Sequence, residues 1–272
     1  MTLSVFDALR RLAYDQAGIA IRENKQTLVS ARIAKRMREC GLASEREYLA
    51  FLERDHSGQE MVRFLDAIST NFTNFFREPD HFELLADEVR GLVRQGARRL
   101  RVWCAAAATG EEPYSLAMTL AETLGSAPVE WKILASDISV SALRTGAAGI
   151  YGASRLAPVP AALRARYFTE QPARVGEEAT SRVAMDLKAH ILFKRVNLAT
   201  PPFQVRGELD VVFCRNVMIY FDNAVRQRLV SELEGLLRPG GLLVVAHSET
   251  LNGIRTGLCT VRPSVYRKVG GS

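Results

Sequence analysis

Residues 102–116 read Val-Trp-Cys-Ala-Ala-Ala-Ala-Thr-Gly-Glu-Glu-Pro-Tyr-Ser-Leu. An apolar run ends here in tiny residues and Gly110, and a helical pattern begins at Glu111 with Pro113 in its first turn, where a missing N–H costs little. Tiny residues between a strand and a helix let the backbone approach a ligand closely, as in the nucleotide-like cofactor sites of open α/β sheets. Tight packing of the strand against the helix produces the same pattern, so both interpretations stay open.

The loop differs from a dinucleotide-binding loop in two ways. It lacks the G-x-G-x-x-G pattern, and its helix opens with the acidic pair Glu111 and Glu112. Acidic side chains at a helix N-terminus compete with a bound anion, so they disfavour a pyrophosphate. The loop therefore predicts a ligand that carries hydroxyls or positive charge.

The composition bounds the class of protein. A chain of 272 residues with 47% hydrophobic and 24% charged residues is typical of a soluble globular protein with one large or two moderate domains. No apolar run approaches the ~20 residues of a membrane span, and the N-terminus lacks the pattern of a signal peptide. Four scattered cysteines argue against a disulfide framework and favour a reducing, cytoplasmic setting. The net charge of +6 suits an acidic partner without identifying one.

The histidines and cysteines show none of the short spacings that are typical of a metal site. The four histidines are His56, His81, His190 and His247. No metal is therefore expected.

The first 70 residues are predicted to form a helical domain. Apolar residues such as Val29 and Ile33 recur at helical spacing as far as about residue 68, and Ser44 with Glu47 forms a capping box. The region contains no strand pattern. Residues 71–81 are predicted to be a linker that contributes to a cofactor cleft.

From residue 82 the pattern alternates between strands and helices. The predicted strands are 99–104, 131–136, 209–214 and 241–247, and the predicted helices lie near 82–95, 111–124, 139–146 and 222–237. Continuous apolar strands fit a sheet buried on both faces, so the class is α/β with a mainly parallel sheet over residues 82–272. Residues from about 152 to 196 interrupt the alternation. They are predicted to form a small β insertion with short antiparallel strands at 182–186 and 191–194.

Polar residues follow two of the strands at the edge where an open sheet binds its ligand. Asp137 ends the second strand and is placed to accept hydrogen bonds from ribose hydroxyls. The alternative role for Asp137 is the N-cap of the following helix, although Ser139 offers the same cap. Arg215 and Asn216 follow a later strand, with Tyr220 about one helical turn further on. Tyr220 is either a cleft residue or a core aromatic.

A segment at the predicted domain junction, 70–78, reads Thr-Asn-Phe-Thr-Asn-Phe-Phe-Arg-Glu. Asn71, Thr73 and Arg77 are predicted to face a cleft between the domains while the three phenylalanines hold the segment down, because clefts at domain interfaces are favoured ligand sites. A linker held by aromatic residues, with no ligand role, is the alternative.

Taken together, these stretches resemble the CheR family, the chemotaxis receptor glutamate methyltransferases. The motifs that carry the resemblance run in order along nearly the whole chain: Asn71 to Glu78, Ala107 to Ser115, Ser136 to Ile138, Cys214 to Phe221, and Ala246 to Glu249. The resemblance implies a helical N-terminal domain and a class I, Rossmann-like S-adenosylmethionine-dependent methyltransferase domain that carries a small antiparallel β subdomain.

The resemblance also implies S-adenosylmethionine (SAM) as the cofactor and S-adenosylhomocysteine as its product. By the family pattern the cofactor is surrounded by Asn71, Thr73, Arg77, Glu112, Asp137, Asn197, Leu198, Arg215 and Asn216. Without the resemblance, Asn197 and Leu198 look like an ordinary turn. Arg77 and Tyr220 are expected nearest the transferred methyl group.

The substrate implied by the resemblance is a receptor glutamate, which is already ionised at neutral pH because its ordinary pKa is about 4.3, so no general base is needed. Arg32, Lys35 and Arg36 lie at neighbouring helical positions, and the resemblance implies that this face docks on the acidic helical bundle of a receptor. A solvated basic face is the alternative. Some family members also bind a receptor C-terminal peptide through the β subdomain. The loop at 170–180 does not settle this, and its length argues slightly against it.

Two other functions stay open beside this one. A methyltransferase that acts on nucleic acid or on another protein is the first, but the basic residues are dispersed rather than clustered with stacking aromatics. A non-catalytic SAM-binding signalling module is the second, and it would not need Arg77 and Tyr220. The sequence favours receptor methylation by a cytoplasmic monomer that does not insert into the membrane.

Overall fold

The computed structural model describes residues 4–21, 25–172, 178–205 and 207–270. Its first part is helical, with α1 (Val5–Ala17), α2 (Gln26–Cys40), α3 (Glu45–Arg54) and α4 (Gln59–Ile68). Ser4 and Ser44 begin α1 and α3, because each side chain accepts a hydrogen bond from the backbone N–H three residues on. The apolar stripes of these helices pack into a core of their own, so the predicted helical character of this region is confirmed.

The rest of the chain alternates between strands and helices. First come α5 (Asp80–Arg94), β1 (Arg99–Cys104), α6 (Glu111–Leu124), β2 (Glu130–Asp137) and α7 (Val140–Ala148). The insertion then contains β3 (Ile150–Gly152), α8 (Ala153–Leu156), α9 (Ala161–Tyr167), β4 (Phe168–Gln171), β5 (Thr180–Val183) and α10 (Met185–Lys188). The last elements are β6 (Ile191–Arg195), β7 (Leu209–Phe213), a short 3-10 helix (Met218–Tyr220), α11 (Asn223–Leu236), β8 (Leu237–Val244), β9 (Leu258–Arg262) and β10 (Val265–Lys268).

Seven strands form the main sheet, in the order β6-β2-β1-β7-β8-β10-β9. The first five are parallel to one another. At the other edge, β10 pairs antiparallel with β8 on one side and with β9 on the other. Both faces are covered, because Val102 and Cys104 of β1 enter one core while Trp103 between them enters the other. The prediction of an α/β fold with a mainly parallel sheet is confirmed. Among the described residues, no helix combines the length and the apolar character that a membrane crossing requires.

The insertion differs from the prediction. Its three strands form a small antiparallel sheet in the order β3-β5-β4, and α10 replaces the second half of the predicted strand at 182–186. β6 pairs in parallel with β2 in the main sheet, so the prediction that 191–194 is an antiparallel strand of the insertion is wrong. The alternation of apolar and polar residues shows which face of a short strand is buried. It does not show with which neighbouring strand that strand pairs. The loop at 170–180, which bears on peptide binding, lies partly outside the described residues.

The last predicted parallel strand is also displaced. β8 begins at Leu237, directly after α11, rather than at residue 241. Gly240 and Gly241 lie inside β8, beside a shift in its register with β7. A Cβ at Gly241 would lie 3.0 Å from the carbonyl oxygen of Leu209, so a glycine is needed where the two strands approach.

Candidate active site

A cleft of about 850 Å³, including its open mouth, lies between the helical part of the chain and the carboxyl edge of the parallel strands. The structure brings to this one cleft all ten residues that were predicted to contact the cofactor or the methyl group. They are Asn71, Thr73, Arg77, Glu112, Asp137, Asn197, Leu198, Arg215, Asn216 and Tyr220. Their individual roles stay predictions.

The loop between β1 and α6 combines a tight packing contact with part of the cleft wall, at different residues. Gly110 has a φ of 100°, and a Cβ there would lie 2.6 Å from Gly146 Cα of α7, so this glycine serves tight packing. Ala105, Ala106 and Ala108 line the cleft. The small residues therefore bring the loop backbone to the ligand space, while the glycine packs the loop against α7.

The two glutamates that open α6 are paired within the protein. Glu111 is buried outside the cleft lining and forms an ion pair with Arg155. Glu112 accepts a hydrogen bond from Arg215 Nη1 at 2.8 Å, and its other oxygen lies 3.2 Å from Cys104 Sγ. Of these two glutamates, from which a ligand with hydroxyls or positive charge was predicted, Glu112 lines the cleft and Glu111 does not. Arg215 offsets the charge of Glu112.

Arg215 joins three parts of the site. Its side chain is fully buried, and Nη2 donates to Glu78 Oε2 at 2.7 Å and to the carbonyl oxygen of Arg77 at 2.6 Å. One guanidinium thus lies between the carboxylates of Glu78 and Glu112 and holds the linker against α6, a geometry that its planar fork of donors suits. Arg215 Nε is buried and has no hydrogen-bond partner among the described residues.

Two left-handed residues shape the linker on either side of Arg77. Phe76 has a φ of 51° and Glu78 a φ of 58°, values that residues other than glycine rarely adopt. The Phe76 N–H donates to Ser115 Oγ at 2.9 Å, and the ion pair with Arg215 holds Glu78. Arg77 lines the cleft, and its guanidinium has no hydrogen-bond partner among the residues that the structure describes. No role was predicted for Glu78, although it ends the motif from Asn71 to Glu78 that carries the family resemblance.

The three phenylalanines of the linker differ in their surroundings. Phe75 is buried and packs edge-on against Tyr151, with ring centroids 5.1 Å apart, and Phe76 packs against Phe82 at 5.3 Å. Phe72 is 72% exposed and lines the cleft. The prediction that all three hold the segment down is therefore wrong for Phe72, because aromatic identity alone does not show which way a side chain in a non-periodic segment points.

Two backbone amides hold the carboxylate of Asp137. Oδ2 accepts from the Ala108 N–H at 2.8 Å, and Oδ1 accepts from the Ser139 N–H at 2.9 Å. Ser139 itself is the N-cap of α7, accepting from the Ala142 N–H, so the N-cap alternative for Asp137 is wrong. Burial raises the pKa of Asp137. A carboxylate has about four lone-pair sites, so about two remain for ligand hydroxyls.

Glu249, to which sequence analysis gave no role, fixes the 3-10 helix that carries Tyr220. Its carboxylate accepts hydrogen bonds from the backbone N–H groups of Asn216, Ala246 and Ile219, at 2.9, 3.0 and 3.3 Å. Tyr220 is partly exposed and lines the cleft, so it is not the core aromatic of the alternative interpretation. The motif from Ala246 to Glu249 was the signal that could have found Glu249.

The end of α1 closes one side of the cleft. Asn197 Nδ2 donates to the carbonyl oxygen of Gln16 at 2.7 Å, and the Ala20 N–H donates to the carbonyl oxygen of Tyr220 at 2.9 Å. Sequence analysis missed this contribution. Asn197 and Gln16 lie 181 positions apart, and no pattern in either segment indicates the other.

The basic face of α2 is only partly free. Arg36 Nη2 lies 2.7 Å from Oε2 of the buried Glu60, and Arg32 Nη1 donates to two backbone carbonyls at the end of α4, at 2.8 and 3.1 Å. Lys35 is exposed. The structure therefore gives two of the three predicted receptor-binding residues an internal role, because α4 packs beside α2 and takes up their guanidinium groups.

The fold and the cleft define the class of protein. An acidic residue ends the second strand of a Rossmann-like sheet that lacks a glycine-rich pyrophosphate loop, and this arrangement is that of a class I SAM-dependent methyltransferase. More particularly, the chain belongs to the CheR methyltransferase family. Residues 71–266 match the "CheR methyltransferase, SAM binding domain", and residues 4–69 match the "CheR methyltransferase, all-alpha domain". The predicted family and fold class are confirmed.

Three relatives cover both parts of the chain. The chain is 43% identical to chemotaxis protein methyltransferase 2 of Pseudomonas aeruginosa, over 90% of this chain and 85% of the relative. It is 40% identical to the chemotaxis protein methyltransferase of Escherichia coli, over 96% of this chain and 89% of the relative. It is also 40% identical to that of Salmonella typhimurium, over 92% and 84%.

Proposed function

We propose that this protein transfers the methyl group of SAM to glutamate side-chain carboxylates of chemotaxis receptors, leaving S-adenosylhomocysteine as the second product. The observation that carries the proposal is a shared cleft, because Asp137, Arg77 and Tyr220 line one cavity. The names of the three relatives above, all chemotaxis methyltransferases, support the same substrate class.

The residues of the cleft fit SAM. Asp137 would accept the ribose hydroxyls at its remaining lone-pair sites. Asn71, Asn197 and the neighbouring alanines would complete the wall. When bound, SAM supplies a methyl group on a positively charged sulfur, which an ionised carboxylate accepts without a general base.

The protein's own contribution is to position the substrate and to exclude water. A receptor glutamate arrives ionised, and the Arg77 guanidinium would orient its carboxylate. The hold must be moderate, because tight binding of the ground state would slow the reaction. Charge is lost in the transfer, so a cleft from which the bound substrate excludes water would favour it.

Receptor docking belongs on the exposed part of α2 in this proposal. Lys35 and Arg38 are exposed and lie one helical turn apart, whereas Arg32 and Arg36 are occupied within the protein. A positive surface would steer the protein to the acidic helical bundle of a receptor. The proposed working form is a cytoplasmic monomer that does not require a receptor C-terminal peptide.

Methyl-labelled SAM, incubated with the protein and with membranes that bear chemoreceptors of the same organism, tests the proposal. We expect label on the receptor band that mild alkali releases as methanol, because methyl esters are base-labile, and we expect Arg77→Ala to lose most of it. Label on nucleic acid or on another protein would contradict the substrate class. Tight SAM binding without any transfer would contradict the enzyme assignment.

A further inference from the structure

Three side chains with metal-ligating atoms meet beside the linker, outside the cleft lining. Glu78 in the linker, His81 on α5 and His247 after β8 each offer one ligand atom, and these atoms lie within 4.8 Å of one another. Glu78 Oε2 and His81 Nδ1 are 3.4 Å apart. The rings of His81 and His247 lie edge to face, with centroids 4.7 Å apart.

The proton on His81 can be placed from its contacts. His81 Nε2 lies 2.8 Å from Ser264 Oγ, and that hydroxyl donates its own proton to the carbonyl oxygen of Pro263 at 2.6 Å. Nε2 must therefore carry the ring proton and donate it to Ser264, which leaves a lone pair on Nδ1. The His81 side chain is fully buried, and Nδ1 has no hydrogen-bond partner among the described residues.

Two acceptors thus face each other across 3.4 Å, because Glu78 Oε2 is a carboxylate oxygen and His81 Nδ1 carries a lone pair. A buried polar atom without a partner costs free energy. A cation placed between the two atoms would give His81 Nδ1 a partner and would share Glu78 Oε2 with Arg215 Nη2, which already donates to that oxygen.

His247 is oriented in the way that metal-ligating histidines usually are. Its Nε2 lies 3.1 Å from Asp80 Oδ2, so the carboxylate fixes the proton on Nε2 and leaves Nδ1 as a ligand atom. The His247 side chain is 48% exposed, which gives an ion a path of entry and leaves a coordination position for water.

We propose that Glu78, His81 and His247 form a binding site for a divalent transition-metal ion, with Zn²⁺ as the best match. Two imidazoles and one carboxylate suit Zn²⁺, whereas Mg²⁺ and Ca²⁺ prefer oxygen ligands throughout. Tetrahedral zinc with bonds of about 2.0–2.1 Å places its ligand atoms about 3.3 Å apart, close to the separation of Glu78 Oε2 and His81 Nδ1.

A metal ion bound at this site would affect the residues proposed for methyl transfer through Arg215. Arg215 Nη2 donates both to Glu78 Oε2 and to the carbonyl oxygen of Arg77. A zinc ion on Glu78 would compete with this guanidinium for the carboxylate and would loosen the backbone that positions Arg77. We therefore expect zinc to inhibit methyl transfer, a consequence that rests on the proposed function, whereas binding of the ion does not.

Calorimetric titration of Zn²⁺ into the full, metal-free chain tests the site, with His247→Ala as the variant and His56→Ala as the control, because His56 is an exposed histidine of the helical part. We expect one ion per chain for the wild type and for the control, and binding at least tenfold weaker for His247→Ala. No binding by the wild type, or equal affinity in all three proteins, would overturn the site.

Two further measurements distinguish loss of the proposed site from a folding defect of the variant and from zinc binding elsewhere in the chain. Asp80→Asn keeps all three ligands and should still weaken Zn²⁺ binding about tenfold, because it releases the orientation of His247.

Co²⁺ bound at the site should give a four-coordinate visible spectrum without thiolate bands, and His247→Ala should abolish that spectrum. Thiolate bands would overturn the ligand assignment. Zinc binding that leaves methyl transfer unchanged would overturn the coupling through Arg215, while the binding data would be independent of the proposed function.

Discussion

Arg215 and Glu112 lie 103 positions apart in the chain and form a buried ion pair, with 2.8 Å between Nη1 and Oε2. The same guanidinium binds the carboxylate of Glu78 and the carbonyl oxygen of Arg77. The linker that carries Arg77 is therefore held by a residue that follows β7 and, through it, by the start of α6. This connection joins the wall of the cofactor cleft to the residue expected nearest the transferred methyl group.

Loss of the Arg215 charge should destabilise the fold. Arg215→Met leaves Glu78 and Glu112 without their shared partner, and breaking a buried pair in this way costs about 3–5 kcal/mol. Urea denaturation measures the change in the free energy of unfolding. Arg90→Met is the matched control, because Arg90 forms an exposed pair with Asp87 and should change stability by less than about 1 kcal/mol. Equal stability of the two variants would refute the structural role of Arg215.

Removal of the Arg77 guanidinium should affect turnover more than cofactor binding. This group has no hydrogen-bond partner among the described residues, so Arg77→Ala should leave the fold intact and lower turnover on receptor by more than tenfold. The dissociation constant for SAM, measured by calorimetry, should rise by a smaller factor. Asn74→Ala, an exposed position in the same linker, should change neither. Near-normal turnover of Arg77→Ala would eliminate this role.

The affinity for SAM should depend on pH through Asp137. The ionised carboxylate accepts the ribose hydroxyls, so affinity should fall as the pH is lowered and the carboxylate is protonated. Burial raises the pKa of Asp137, and the fall should therefore begin above the ordinary aspartate range of about 3.9.

Asp137→Asn distinguishes the titration of Asp137 from pH effects on other groups. It should weaken SAM binding about 10- to 100-fold, since a hydrogen bond to a charged group contributes about 1.5–3 kcal/mol, and it should remove the pH dependence. Asp87→Asn is the control, because Asp87 is an exposed carboxylate of α5 that lies outside the cleft lining. A pH profile that persists in Asp137→Asn would assign it to another group.

Charge reversal on α2 should distinguish docking residues from structural ones. Lys35→Glu and Arg38→Glu change exposed side chains, so they should raise the Michaelis constant for receptor and leave SAM affinity unchanged. Arg36→Ala should instead cost up to about 3–5 kcal/mol of stability, because the buried Glu60 loses its close guanidinium partner and keeps the Tyr48 hydroxyl and the more distant Arg63. Arg11→Glu on α1 provides an exposed control. Unchanged receptor kinetics in both reversals would remove this face as the docking site.

Much of the fold could be predicted because the periods of helices and strands are local properties of the chain. The alternation of strands and helices after residue 82 indicated a parallel sheet, and the carboxyl ends of parallel strands meet at one edge. Polar residues at those ends, such as Asp137 and Asn216, could therefore be assigned to one cleft. The alanines before Gly110 indicated that the loop backbone lies close to another group. They did not show whether that group is a ligand or a helix.

The partners of individual side chains could not be predicted in this way. The pairing of Ile191–Arg195 with β2, the contact of Arg36 with Glu60, and the meeting of Glu78 with His247 across 169 positions all depend on how distant segments pack. Linear spacing excluded a metal site among the histidines, yet the folded chain brings two of them to one carboxylate. The elements and the cleft followed from the order of residues, because short-range periodicity and strand direction place them. The ion pairs and the cluster of Glu78, His81 and His247 were decided by the tertiary structure, because they require side-chain atoms within about 3–4 Å, a distance that only packing sets.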